Sequence, residues 1–147
     1  MKVQKLVYIA HGWSLGIRSE PLINEPVMAW KYGPVIDTLW REFRDYGKNV
    51  IRAAASVYSA DDGTFSRHEP HVRSEDMWYC ELVNAVWTKY GRLSATQLSR
   101  LTHESGTPWY MVAKQFKFEL PKNVIIPNDL IQEHYAEKWR IMTSANQ

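Results

Sequence analysis

The chain has 147 residues, which suits one domain with a sizeable hydrophobic core. Its 18 Lys and Arg nearly balance its 16 Asp and Glu, and the net charge of +2 argues against a dedicated nucleic-acid-binding protein. The single cysteine, Cys80, excludes an internal disulfide framework, and no apolar run is long enough to span a bilayer. The first residues lack the pattern of a signal peptide, so we expect a cytoplasmic protein.

The first 26 residues predict a helix followed by a loop. Apolar residues recur at helical spacing from Val3 to Trp13, which indicates a helix over residues 3–15 that ends near Gly16. His11 lies on this helix without a second possible metal ligand at i+4, so a structural role is favoured. The loop is predicted from the prolines and asparagine that follow, up to residue 26.

Residues 28–47 are predicted to form a strand, a rigid corner and a second helix. Trp30 and Tyr32 share one face of the strand. Pro34 suits the first turn of a helix because it has no N–H and a fixed φ, and Gly33 before it tolerates almost any backbone angle. The apolar stripe of the helix is Ile36, Leu39, Trp40 and Phe43.

The middle of the chain is weakly patterned. Residues 50–58 indicate a second strand or a loose helix, and residues 59–73 predict an exposed loop with a turn at Asp62-Gly63. His68 and His71 in this loop suggest a metal site at first sight. Zinc needs three or four converging ligands, however, and the sequence supplies no second ligand pair, so no metal is expected.

Four further helices are predicted in the second half. Ser74 is expected to cap a helix that ends at Gly91. Ser94 and Gln97 form a capping-box pattern, and Thr107 before Pro108 predicts an N-cap with proline at the first helical position. An extended link and a final helix over residues 128–142 complete the chain. With about six helices and one or two short strands, the expected class is mainly α in a single compact domain.

Enzyme signatures are scarce. The glycines form no phosphate-binding loop, and no Gly-x-Ser-x-Gly elbow occurs. Thr102, His103 and Glu104 lie between two predicted helices, and a histidine beside a glutamate can act as a base and its orienting group. Such clusters more often hydrogen-bond the free ends of helices. No catalytic residue, cofactor or metal is therefore expected.

Several segments in this order resemble the Panacea domain, the SocA-like antitoxin family, over nearly the whole chain. The two specific segments are Trp30-Lys31-Tyr32-Gly33-Pro34-Val35 and Thr102-His103-Glu104 with Pro108-Trp109. The supporting segments are Lys5-Leu6-Val7-Tyr8 with His11-Gly12-Trp13, Leu39-Trp40-Arg41-Glu42-Phe43 with Tyr46-Gly47, Leu93-Ser94-Ala95 with Leu98, and Ile126-Pro127 with Ile131 and Tyr135.

The resemblance implies a non-enzymatic antitoxin of a toxin–antitoxin system, of the kind carried by phages and other mobile elements. Members of the family neutralise a toxin by direct binding, and the namesake of the family acts as an adaptor that delivers its toxin to the ClpXP protease. The domain is paired with many unrelated toxins, so the family does not name the partner. The alternative is a phage or mobile-element regulator that binds a host protein or DNA.

The resemblance also sets expectations for the domain and its binding site. Residues 1–147 are expected to form one Panacea domain that lacks the extra N-terminal helix usual in the family. Partner contact is expected at the aromatic segment before the corner and at the polar cluster. These residues are Trp30, Tyr32, Thr102, His103, Glu104 and Trp109.

Overall fold

A computed structural model describes residues 1–61 and 64–145, which contain both helices and strands. The helices are α1 (Lys2–Arg18), α2 (Asp37–Phe43) with a 3-10 turn (Arg44–Tyr46), α3 (Met77–Tyr90), α4 (Ala95–His103), α5 (Pro108–Gln115) and α6 (Asn128–Ser144). The strands are β1 (Val27–Trp30), β2 (Gly33–Ile36), β3 (Val57–Asp61), β4 (Thr64–His68) and β5 (Ile125–Ile126).

The predicted class, a mainly α domain with one or two short strands, is wrong. The described residues contain five strands in two antiparallel sheets besides six α-helices, so the fold is mixed α and β with helices in the majority. The first sheet has the order β2-β1-β5, and the second is the β3–β4 hairpin. Much of the missed strand structure is the β3–β4 hairpin, which begins in the segment 50–58, predicted as a strand or a loose helix, and continues into residues 59–73, where an exposed loop was expected.

Helix α1 is the centre of the core and packs most extensively against α6, with further contacts to α3, α4 and β2. The predicted end of α1 at Gly16 is wrong, because the helix continues to Arg18 and is followed by Ser19 in the left-handed conformation, with φ of 58°. Gly16 instead permits the close approach of α6. A Cβ at this position would lie 2.6 Å from the backbone of Tyr135, too close for any side chain.

His11 is fully buried and joins α1 to two distant segments. Its Nδ1 accepts hydrogen bonds from the backbone N–H groups of Leu22 and Ile23, at 3.2 and 3.3 Å. The proton of the neutral ring must therefore be on Nε2, which donates to Asn128 Oδ1 at 3.1 Å. Burial lowers the pKa of His11, in keeping with this neutral structural role.

The Gly33-Pro34 corner between a strand and a helix, predicted from the sequence, is also wrong. These residues begin β2, which forms an antiparallel hairpin with β1 in which Trp30 lies opposite Gly33 and Ala29 opposite Pro34. Because β2 is an edge strand, the missing N–H of Pro34 can face away from the sheet without loss of a ladder hydrogen bond. Helix α2 then begins three residues later, at Asp37.

Caps set by local sequence are partly as predicted. The capping box of α4 is confirmed, since Ser94 Oγ accepts from the Gln97 N–H and the Gln97 side chain accepts from the Ser94 N–H. Thr107 caps α5 through the Tyr110 N–H, with Pro108 in the first turn, also as predicted. Ser74 does not cap α3, which begins at Met77 after Asp76. The predicted turn at Asp62-Gly63 lies outside the described residues.

Candidate partner-binding site

The polar cluster predicted from the sequence lies at the C-terminus of α4, where it satisfies backbone carbonyl groups. Thr102 Oγ1 donates to the Ser99 carbonyl at 2.8 Å, and His103 Nδ1 lies 2.6 Å from the same oxygen. Thr107 Oγ1 donates to the Thr102 carbonyl at 2.9 Å. Of these two carbonyls, that of Thr102 belongs to the last turn of α4 and has no partner within the helix, so the contacts have a structural role.

Trp109 ties this cluster to the β1–β2 hairpin. Its indole N–H donates to the Trp30 carbonyl at 2.8 Å, and its ring centroid is 3.9 Å from that of His103. Ser99 Oγ donates to the Tyr32 carbonyl at 3.4 Å, which adds a second, longer link between α4 and the hairpin. The two specific sequence segments of the family therefore meet in space and hold each other in place.

The tip of the hairpin is clamped from the other side by α1. Gly33 has a φ of 101°, and a Cβ on it would lie 2.7 Å from Lys5 Nζ and 2.8 Å from His103 Cε1. Lys5 is only 1% exposed, and its Nζ donates to the Pro34 carbonyl at 2.9 Å. Burial lowers the pKa of Lys5 to about 7, because the ammonium group loses most of its hydration there.

Gln4 makes the second tie between α1 and β2. Its side-chain amide donates to the Ile36 carbonyl at 3.1 Å, and its carbonyl oxygen accepts from the Ile36 N–H at 2.9 Å. This paired contact fixes the point at which β2 passes into α2. These contacts hold the hairpin, α1 and α4 together in a rigid junction, which we call the joint. The more exposed aromatic side chains project from it.

Beside this joint lies an open groove of about 320 Å³ between α1, the hairpin, α2 and the segment that follows α2. We call it the aromatic groove. Trp30 and Trp40 pack edge to face in it, with ring centroids 5.3 Å apart. The residues that line it are Met1, Val3, Gln4, Lys5, Trp30, Tyr32, Val35, Leu39, Trp40, Phe43, Arg44, Tyr46, Gly47, Asn49 and Ile51.

The six predicted partner-binding residues are divided between the joint and the groove. Trp30 and Tyr32 line the aromatic groove, and Tyr32 is 69% exposed. Thr102 and Trp109 are buried in the joint, and His103 is half-buried against Trp109. Glu104 is exposed but does not line the groove.

Three side chains of the groove were assigned to the core stripe of α2 by the sequence pattern. Leu39, Trp40 and Phe43 recur at helical spacing, yet no residue of α2 is buried. The signal that could have found them is the shortness of the helix. A helix of seven residues cannot bury three large apolar side chains completely, so part of their apolar surface stays exposed.

The chain belongs to the family described as antitoxin SocA-like, Panacea domain, whose model matches residues 3–110. This confirms the family predicted from the sequence motifs, and the match includes both the joint and the aromatic groove. Among curated proteins the chain is similar to Antitoxin SocA of Caulobacter vibrioides (strain NA1000 / CB15N), with 35% identity over 113 residues. That match covers 77% of this chain and 58% of the relative, so it spans little more than half of the relative's length.

No solved structure matches the chain. None of the helices in the described ranges is long and apolar enough to cross a membrane. Within the same ranges, no three histidine, cysteine or carboxylate side chains converge as metal ligands. His68 instead lies within hydrogen-bond distance of two hydroxyl groups, those of Ser59 and Ser66.

Proposed function

We propose that the protein is an antitoxin that neutralises a partner toxin in the cytoplasm by binding it directly, without catalysing a reaction. Membership of the SocA-like antitoxin family implies a toxin as the partner. The observation that supports direct binding is the aromatic groove, an open apolar surface mounted on a rigid joint. Protein-binding surfaces are enriched in such tryptophan and tyrosine anchors.

The groove supports partner contact better than the polar cluster does. A residue contributes to an interface through surface that the partner can cover, and Tyr32 and Trp40 are 69% and 39% exposed. Thr102 and Trp109 have almost no such surface. In this proposal they hold the hairpin in position, whereas Trp30, Tyr32 and Trp40 contact the toxin.

The chain provides matched controls for a direct test. Tyr58 on the β3–β4 hairpin has the same 69% exposure as Tyr32, and Trp139 on α6 is 41% exposed, close to Trp40. Neither of these two control residues, Tyr58 and Trp139, lines the groove. Replacing each of the four by alanine therefore removes similar exposed aromatic surface inside or outside the groove.

The experiment uses growth rescue and isothermal titration with the product of the gene beside this one. We expect Trp40→Ala to weaken binding by about 2 kcal/mol, roughly 30-fold in Kd, and to reduce rescue, since buried tryptophan anchors often contribute this much. Trp139→Ala and Tyr58→Ala should bind as the unaltered protein does. Equal effects inside and outside the groove would refute the assignment of the surface.

Failure of the unaltered protein to bind or to rescue would refute the antitoxin proposal itself. In that case a salt-dependent shift of its own promoter DNA would favour the alternative, a regulator that binds DNA. Capture of a host protein without any neighbouring toxin would favour a regulator of host function.

The resemblance to SocA-like antitoxins leads us to include a second step, delivery of the bound toxin to a ClpXP-type protease. A pure inhibitor leaves the amount of toxin unchanged, whereas an adaptor shortens its lifetime. The half-life of the toxin, measured with and without the antitoxin in cells with and without ClpX, separates these cases. A toxin half-life that does not depend on ClpX would exclude delivery to the protease and would support inhibition by binding alone.

A further inference from the structure

One end of the aromatic groove carries an excess of positive charge. Arg44 lines the groove itself and lies over the Trp40 ring, with its guanidinium carbon 5.8 Å from the ring centroid. Lys48 and Arg52 line a shallow depression that shares Tyr46 and Asn49 with the groove. All three basic side chains belong to exposed residues.

Carboxylates on the same segment neutralise only part of this charge. Asp45 lies 3.6 Å from Arg44, and Asp37 pairs with Arg41 on the preceding turn of α2. Glu42 accepts a hydrogen bond from the Ser56 N–H at 3.0 Å. Among the described residues, Lys48 and Arg52 have no carboxylate within ion-pair distance, so positive charge is in excess at this end.

Most of the remaining lining of the groove is apolar or aromatic, with Gln4, Lys5 and Asn49 as its polar members. Its floor and walls include Val3, Val35, Leu39 and Phe43, and Ile51 lies near the basic end. A groove that is apolar along most of its length and basic at one end is complementary to a peptide segment with an apolar face and neighbouring acidic residues. Double-stranded nucleic acid fits less well, because it presents phosphates along its whole length and no apolar face.

We propose that the aromatic groove receives an amphipathic, acidic segment of the toxin, whose apolar side chains fill the groove and whose carboxylates meet Arg44, Lys48 and Arg52. This inference rests on the proposed function and adds the chemistry of the partner. Complementary charge mainly accelerates association and aligns the segment, whereas the aromatic contacts slow its dissociation. The two contributions can therefore be measured separately.

The first test reverses the charge with the variant Lys48→Glu/Arg52→Glu and follows association with the purified toxin by surface plasmon resonance. The control Lys114→Glu/Lys122→Glu changes the net charge equally at exposed positions that line neither the groove nor the adjoining depression. At about 50 mM salt, we expect the groove variant to associate about tenfold more slowly than the control. At about 300 mM salt the difference should shrink, because the charges are then screened.

The second test identifies the segment. A photo-crosslinking amino acid at position 43, in place of Phe43, should capture one toxin peptide, which mass spectrometry then locates. We expect apolar residues at helical or strand spacing in that peptide and at least two carboxylates beside them. A captured peptide that is basic or uncharged would overturn the inference.

The outcomes distinguish this inference from the proposed function. If Trp40→Ala weakens the complex but both charge-reversed variants associate at the same rate, the antitoxin proposal stands and the acidic segment is rejected. If the unaltered protein does not bind the toxin, both are rejected. If only the groove variant slows association and the captured peptide is acidic, both are supported.

Discussion

Replacing Lys5 by methionine tests the joint through the pH dependence of stability. In the folded protein the pKa of Lys5 is lowered from 10.5 to about 7 by burial. Between these two values the unfolded chain binds more protons than the folded one, so the free energy of unfolding rises with pH. A full pKa unit corresponds to about 1.4 kcal/mol, and the gain between about pH 7 and pH 9 is therefore about 2 kcal/mol.

Methionine keeps most of the apolar stem of Lys5 but cannot titrate. The unfolding free energy of Lys5→Met should lack this rise, although the variant loses the hydrogen bond to the Pro34 carbonyl and about 1 kcal/mol or more with it. Urea unfolding followed by tryptophan fluorescence at several pH values gives both curves. Most other groups titrate equally in the two proteins, so the difference between the curves reports mainly on Lys5. The exception is the α-amino group of Met1, whose pKa is lowered by burial and also by the Lys5 charge. Parallel curves would refute a buried, largely dehydrated ammonium group.

Three further predictions concern the core and the joint. Gly16→Ala should destabilise the protein by about 1–3 kcal/mol or more in urea unfolding, because the new Cβ meets the backbone of α6; an unchanged midpoint would contradict this close approach. Trp109→Phe leaves the Trp30 carbonyl without the indole donor and should cost about 1–3 kcal/mol by the same assay; an unchanged midpoint would contradict a role for this hydrogen bond in holding the hairpin. Acidification below about pH 6.5 should destabilise the protein because the unfolded chain protonates His11 and His134 before the folded one does, since burial lowers the pKa of both; His11→Gln should reduce that slope and leave the part due to His134.

The sequence predicted correctly those features that depend on one short segment. The capping box at Ser94 and the cap at Thr107 depend on residues within three positions, and both were predicted. The family was predicted because each of its motifs is a short contiguous segment, and the match of the family model over residues 3–110 confirms it. These features need no knowledge of the remainder of the fold.

The β1–β2 hairpin was missed because the deciding information is distant in sequence. Pro34 satisfies the rules for a first helical turn and for an edge strand equally well. What selects the strand is pairing of β1 with β5, about a hundred residues away, and the Lys5 and Gln4 contacts from α1. Periodicity within the segment contains none of these partners.

The aromatic groove, the binding surface that we propose, coincides only in part with the residues expected from the sequence, for a similar reason. Helical spacing shows which side chains share a face, but not whether another element covers that face. Trp109 is buried and its indole reaches the hairpin, whereas Trp40 lies on a helix without any buried residue and is 39% exposed. Sequence alone gives both tryptophans the same apolar signal.

The central claim is that a toxin binds in the aromatic groove, and hydrogen–deuterium exchange of the complex tests it most directly. Amide exchange is compared for the free protein and for the protein saturated with toxin. We expect slower exchange in the bound state across residues 30–52 and unchanged exchange on the outer face of α3 around Trp87. Protection at α3 with no change across residues 30–52 would contradict the account.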